Sequence, residues 1–253
     1  MPDYHTTIAT SDATSITMRG LDLVRDVIGE RSFTEATYFS MCGRMPNATE
    51  VRVLDACLVT LMEHGLTPSA LVSRLVIDSV PDEIQVAMAA GLSSIGSVFV
   101  GTMEGCARIL EQGIQEGGDR DAYCARVIAE HRQTRKPVPG FGHPHHKPDD
   151  PRSPRLFDVA KGAGVEGRYI DLLQRLGVAL DEAAGRHMTI NATGAIGALL
   201  LEIGVPVTIM RGVAVVSRSA GLMAHIREER EQHTARHLWQ MAMDNIPYRP
   251  PER

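Results

Sequence analysis

Apolar residues recur along most of this chain at three- and four-residue intervals, and alternation is rare. That spacing is the signature of amphipathic helices. Leu54, Cys57, Leu58, Leu61 and Met62 form one such stripe. Gly65 is predicted to close that helix. Thr67-Pro68 then opens the next, with threonine at the N-cap and proline at the first helical position. Pro81-Asp82-Glu83 opens a further helix with acids in its first turn, where they meet the positive end of the helix dipole. Residues 87–97 are rich in Ala, Gly and Ser, which suits close helix–helix contact. Helices are predicted over 103–115 and 121–132, separated by Gly117-Gly118. They resume at 155, with breaks at 162–164 and 185, and continue over 191–203 and 210–231. From Pro247 onward the chain is proline-rich and predicted extended. No five-residue alternating pattern, internal repeat or low-complexity run is present, so the predicted fold class is all-α.

The length of 253 residues and the 43% hydrophobic content suffice for a sizeable core in one to two domains. The aromatic content of only 4%, with abundant Ala, Leu and Met, agrees with an all-α protein. The net charge of −5 and the scattered basic residues argue against a nucleic-acid partner. The first eleven residues are polar, without the apolar segment of a signal peptide. The longest apolar stretch, 195–216, is interrupted by Glu202, Pro206 and Arg211, so no membrane partner and a cytoplasmic location are expected. The cysteines (Cys42, Cys57, Cys106 and Cys124) are far apart in apolar contexts and are expected to be reduced core thiols.

Residues 134–154 break the helical pattern. They hold six prolines, two glycines and three of the ten histidines. Gly140 and Gly142 would let backbone approach a ligand closely, and His143 follows them directly. Arg152 sits on a proline-stiffened stretch, as a fork for a carboxylate should. The bland alternative is a solvated, proline-rich connection. Another reading is a metal site, with His143, His145, His146, Asp149 and Asp150 as ligands by type; no helical pair of histidines supports it. His64 falls on the apolar stripe of its helix and is either a neutral core residue or a group aimed into a cleft. Arg218 is the only formal charge in the apolar stretch 213–226. A buried guanidinium needs an anionic partner, and either a structural salt bridge or a substrate carboxylate would serve.

Taken together and in this order, these segments resemble the citrate synthase superfamily. The loop Gly140-Phe-Gly-His with Asp-Pro-Arg152 resembles that family's Gly-Phe/Tyr-Gly-His and Asp-Pro-Arg signature. Glu63-His64-Gly65 resembles its Asp-His segment. Asn191-Ala-Thr-Gly, with the later Gly-Val-Pro206, resembles Asn-Val-Asp and Gly-Ile-Pro. Ser217-Arg218 through His225 resembles the following helix, and Tyr248-Arg249-Pro250 the terminal Arg-Pro. The chain is much shorter than a full citrate synthase and is more similar to the compact citryl-CoA lyase module that also ends ATP-citrate lyase. The resemblance implies a single compact helical domain over 14–253 behind a tail, 1–13.

The resemblance further implies that a coenzyme A thioester is substrate, with a carboxylic acid as the second partner and no metal, in a homo-oligomer of at least two copies. His64 would stabilise the thioester enolate, and His143 would exchange a proton with the hydroxyl or keto oxygen at the reacting carbon. Arg152 and Arg218 would hold carboxylates, and Arg249 would reach the partner subunit's site. Val138, Gly140, Phe141 and Gly142 would contact the adenine end of coenzyme A, with Lys147 as a further cofactor contact. All four central groups, His64, His143, Arg152 and Arg218, are expected to line one cavity.

One position departs. The family's catalytic Asp, which moves the proton of the acetyl methyl, is here Thr193. Losing a positioned acid–base group costs about 10²–10⁴ in rate. The glycine-rich segment upstream is also altered, at Val100-Gly101-Thr102-Met103. Three functions follow: a citryl-CoA lyase-like enzyme, a lyase or hydrolase of another 3-hydroxyacyl-CoA, or a catalytically impaired protein that binds CoA esters.

Overall fold

The computed structural model describes residues 3–98 and 100–251. The protein is mostly helical, as the periodicity predicts. The described residues form two compact units. The first runs to Cys57 and resumes over Thr102–Met210; the second comprises Leu58–Gly101 and the residues from Arg211 onward.

The first unit opens with three short antiparallel strands in the order β1-β2-β3: β1 (Ala9–Ser11), β2 (Ile16–Met18) and β3 (Leu21–Asp22). Residues 9–11, expected in the tail, are thus strand. At two or three residues each, these strands are too short to show an alternating pattern. α1 (Phe33–Cys42), which the periodicity did not predict, is delimited by strong local signals. Ser32 and Glu35 form a reciprocal capping box, and Gly43 ends the helix in the left-handed conformation at φ 75°.

α2 (Ala48–Met62) follows, and its segment up to Cys57 belongs to the first unit. The remaining helices of this unit are α5 (Thr102–Glu116), α6 (Arg120–Gln133), α7 (Arg152–Gly162), α8 (Arg168–Ala184) and α9 (Ala192–Glu202). α9 is the core element. All its residues from Gly194 to Leu201 are buried, and α5, α7 and α8 pack against it. Its small residues permit the approach: a Cβ on Gly197 would lie 2.9 Å from the Met103 carbonyl of α5.

The second unit holds α3 (Pro68–Ser79), α4 (Ile84–Ser93), α10 (Met210–Gln232) from Arg211 onward, and α11 (Thr234–Asn245). Ile77, Ala87 and Ile226 pack together as a small core. The small residues of α4 serve the close contact expected of them, since a Cβ on Gly91 would lie 2.7 Å from the Ser69 carbonyl. Gly221 brings α10 still closer to the end of α2: its Cβ would lie 2.1 Å from the Met62 carbonyl. α11, also missed by the periodicity, starts directly after His233, whose left-handed backbone turns the chain out of α10. Three boundaries shift from prediction. α2 ends at Met62, three residues before Gly65, α4 starts at Ile84, after the Pro81-Asp82-Glu83 segment, and α7 starts at Arg152, three residues before 155.

The expectation that no stretch has the length of a membrane span needs correction. The helical segment Val207–Gln232 is long and apolar enough by length and composition. Leu222 and Ile226 of this helix are buried, and so are Ser217 and Arg218.

The tightest backbone contact of the first unit lies at the start of α9. A Cβ on Gly194 would sit 2.5 Å from the Gly140 carbonyl and 2.9 Å from its Cα. Backbone cannot rotate aside as a side chain can. Gly194→Ala is therefore expected to lower the unfolding free energy by about 1–3 kcal/mol. Gly162→Ala, whose Cβ would meet only an arginine side chain at 3.8 Å, should be neutral or slightly stabilising. Urea unfolding of both variants checks this, and equal effects would refute the contact argument.

Candidate active site

The loop between α6 and α7 carries His143 and Arg152, and the first turn of α9 holds it in place. Phe141 makes an isolated antiparallel bridge to Ile190. Around it, the Gly142 N–H donates to the Thr189 carbonyl at 2.8 Å and the Asn191 N–H to the Gly140 carbonyl at 3.1 Å. Asn191 is the N-cap of α9: its Oδ1 accepts from the Gly194 N–H at 3.0 Å. Its Nδ2 donates back to the Gly142 carbonyl at 2.8 Å. One side chain thus starts the helix and fixes the residue before His143.

The glycines of the loop play different parts. Gly140 has φ +90°, and a Cβ there would lie 2.7 Å from the buried Cys106 sulfur and 3.0 Å from the Gly194 Cα. That direction is taken up by the packing of the loop against α5 and α9. At Gly142, where φ is +77°, an added Cβ would have only the Met188 side chain within 4 Å, at 3.7 Å.

His143 is half-buried. Its Nδ1 accepts from the backbone N–H groups of His145 (3.1 Å) and His146 (2.9 Å). A nitrogen that accepts cannot carry a proton, so the neutral imidazole holds its proton on Nε2. The His146 ring stacks on it, with centroids 4.3 Å apart.

Arg152 is the first residue of α7 and is gripped by Asp150, which is fully buried. Arg152 Nε donates to Asp150 Oδ1 at 2.9 Å and Nη2 donates to Oδ2 at 2.8 Å. Asp150 Oδ2 also accepts from the Ala192 N–H at 2.9 Å, the first turn of α9. Burial pushes the Asp150 carboxyl up, but the Arg152 guanidinium and the Ala192 N–H outweigh it and bring it down to about 2. The Nε edge of the fork is therefore occupied, and a ligand carboxylate can meet only the Nη edge.

Thr193, in the first turn of α9, is half-buried. Its hydroxyl donates to Asn191 Oδ1 at 2.7 Å. Since that is its one proton, the Thr102 hydroxyl 2.9 Å away must be the donor in their shared bond. The chain Thr102 to Thr193 to Asn191 to Gly142 links the starts of α5 and α9 to the His143 loop.

Beside the loop lies a cavity of about 280 Å³, lined by Ile128, Val138, Phe141, Leu180 and Met188 and rimmed by Arg132, Arg135 and Lys136. Of the residues expected to contact coenzyme A, Val138 and Phe141 line it; Lys147 is exposed on the loop. The metal reading of the loop loses its two carboxylates. Asp150 is held by Arg152, and Asp149 accepts from His187 at 2.8 Å.

The second unit carries the other candidates. His64 is half-buried, two residues beyond the end of α2. Arg218 is buried in α10, with Nη1 3.4 Å from the Thr67 hydroxyl. Arg249 is exposed beyond α11. Sequence reasoning missed Thr102, His187 and the structural role of Asp150. The spacing of Asp150 and Arg152 was the available signal, since two residues apart across a proline lets the guanidinium fold back.

His187 bridges Asp181 at 2.6 Å and Asp149 at 2.8 Å, which ties the loop to the end of α8. The two carboxylates, Asp181 foremost, raise its pKa above the usual 6.5. A raised histidine contributes stability that is complete below its unfolded value and is lost as pH rises through the folded one. The Tm difference between wild type and His187→Ala should accordingly narrow as pH rises above the usual 6.5. A constant difference over that rise would mean the imidazole is not held protonated.

Comparison with known proteins agrees with this geometry. Residues 6–242 match the family described as citrate synthase, C-terminal domain. The citrate synthase of Acidithiobacillus ferridurans is 25% identical over 206 residues, 76% of this chain and 50% of that protein. The chain thus spans about half the length of the curated relatives it matches. Among solved structures, citryl-CoA lyase from Hydrogenobacter thermophilus superimposes with a TM-score of 0.88 at 28% identity, covering 99% of this chain and 97% of that one. ATP citrate lyase from Methanosaeta concilii, in complex with (3S)-citryl-CoA, shares the fold over 100% of this chain and 42% of its own, with a TM-score of 0.84 at 17% identity. With the signature loop, the α9 cap and the helical architecture all in place, the chain belongs to the citrate synthase family.

Proposed function

We propose that this protein cleaves or forms the carbon–carbon bond of citryl-CoA, between an acetyl-CoA enolate and oxaloacetate. The observation that carries the reading is the end-to-end likeness to a citryl-CoA lyase, covering nearly all of both chains. The loop geometry supports it. With its proton on Nε2, His143 donates a hydrogen bond to the oxygen that is keto in oxaloacetate and alkoxide as the bond breaks. Arg152 offers its Nη edge to a carboxylate of the same half. His64 takes the thioester oxygen and stabilises the enolate, and Arg218 holds a second carboxylate. Arg249 completes the site from a partner subunit in a homo-oligomer. The cavity beside Val138 and Phe141 is apolar with a cationic rim, which suits an adenine ring and its phosphates, with Lys147 as a further contact. No metal takes part in this scheme.

In cleavage, the hydroxyl proton passes to water, the C–O bond becomes the keto C=O as the carbon–carbon pair goes to the acetyl carbon, and that carbon takes up one proton, so that no net proton is gained or lost. Thr193 is a poor source of it, because its hydroxyl proton is engaged by Asn191. That bond favours a second reading, in which the enzyme cleaves or hydrolyses a different 3-hydroxyacyl-CoA. A CoA-ester-binding protein with impaired catalysis is the third.

Calorimetric titration with coenzyme A, acetyl-CoA, citrate and oxaloacetate, together with acetyl-CoA release from citryl-CoA, tests the proposal. Binding of both a CoA ester and a carboxylic acid with turnover supports it; turnover of another acyl-CoA alone supports the second reading; binding without turnover supports the third.

Thr193→Asp should raise citryl-CoA cleavage by roughly tenfold or more, recovering part of the 10²–10⁴ that a positioned acid–base group supplies. An acid in the first turn of α9 suits the helix dipole, so folding should tolerate it. A wild type already fast and slowed by the substitution would refute the reading of Thr193 as a missing acid–base group.

A further inference from the structure

The second unit contains a polar chain that ends at the backbone of His64. Its root is Arg74, on the buried face of α3 and only 2% exposed. Arg74 Nη1 donates to Glu229 at 3.0 Å, and Nη2 pairs with Glu228. Glu229 is buried in turn and also accepts from the Thr234 hydroxyl and from the Ala235 N–H at 2.7 Å. The remaining direction of the guanidinium meets His225: Nε and Nη2 lie 3.0 and 2.9 Å from His225 Nδ1.

A guanidinium has donors only, so His225 Nδ1 must be the acceptor, and the proton of the neutral ring sits on Nε2. That N–H faces Glu63, with both carboxylate oxygens at 3.1 Å. Glu63 is the first residue beyond α2, and its Oε1 accepts from the N–H groups of His64 (2.8 Å) and Gly65 (2.7 Å). Gly221 lets α10 lie close enough for this, since a Cβ there would be 3.0 Å from Glu63 Oε2. Each link sets the orientation of the next, and the last holds the segment from which the His64 side chain springs.

We propose that Arg74, His225 and Glu63 are positioning residues that set the orientation of the His64 segment for stabilising charge on the thioester oxygen. The proposal rests on the role of His64 given above. None of the three touches the reacting atoms in this scheme; they act through His64. An oxyanion donor matters most at the transition state, so its misplacement lowers kcat more than it raises KM.

The test compares wild type with Glu63→Ala, His225→Ala and His225→Gln in citryl-CoA cleavage, with thermal melting to verify folding. Arg74 is left intact, because its removal strands Glu229 buried and uncompensated. Both alanine variants should lose roughly 10- to 100-fold in kcat, the scale of a misplacement of about 1 Å, with KM changed less than about threefold. His225→Gln keeps an amide donor near the Nε2 position and should recover most of the loss. Unchanged kcat in the alanine variants, or a loss that follows melting temperature and is not relieved by His225→Gln, overturns the proposal. If wild type does not turn over citryl-CoA, the function fails first, and amide exchange decides the positioning chain on its own. In His225→Ala the Glu63 carboxylate remains, so faster exchange at the His64 and Gly65 amides sustains the chain, and unchanged exchange sinks it.

Discussion

A fully buried carboxylate, Asp150, is the constraint on which the loop of the first unit depends. A carboxylate without water must be compensated by donors or it will not stay ionised. The Arg152 guanidinium supplies two such donors, its backbone N–H a third, and the opening turn of α9 another. The charge is satisfied only while the loop, the start of α7 and the start of α9 keep their relative positions. The direct contact of Gly140 on Gly194 and the Asn191 side chain pull the same elements together from the glycine end of the loop. His143 lies between these two anchors, and its ring nitrogen is fixed by the turn that follows it.

This arrangement changes what Arg152 is for. An arginine on a proline-stiffened loop reads as a free carboxylate fork. In the structure it is half of an internal ion pair, and that pair aims its other edge. The second unit repeats the logic with different residues. Arg74 is compensated by Glu229 and, in the same network, dictates which nitrogen of His225 carries a proton. In both units a buried ion pair fixes the environment of a histidine-bearing segment, because charges that cannot reach water tolerate few geometries.

Thr193 illustrates the limit of carrying roles from one sequence to another. Reading it as a missing acid explains what the position lacks. The hydrogen bonds describe what it does instead: it passes order from Thr102 to Asn191, and so to the backbone before His143. Thr102 and Thr193 are joined by one hydrogen bond, in which the Thr102 hydroxyl donates and the Thr193 hydroxyl, its own proton on Asn191, accepts.

By itself the sequence determined the fold class, the run of helices from α2 to α10, and the motif residues from which the family is recognised. Helical periodicity, caps and a proline–glycine loop are local properties, and local physics writes them legibly. It missed α1, the short strands and α11, whose signals are capping residues and single left-handed turns and not long periodic stripes. It also expected Gly140 to let backbone approach a ligand, and only in an alternative reading offered Asp150 as a metal ligand. Only the tertiary structure decided that Gly140 faces Gly194, that Asp150 is Arg152's partner, and that Glu63, His225 and Arg74 form a chain. The reason is physical. Apart from the local Asp150–Arg152 pair, these depend on contacts between distant residues, such as the 151 residues separating Arg74 from His225, and a residue's chemical type fixes what it can bond but not which distant group the fold brings within 3 Å.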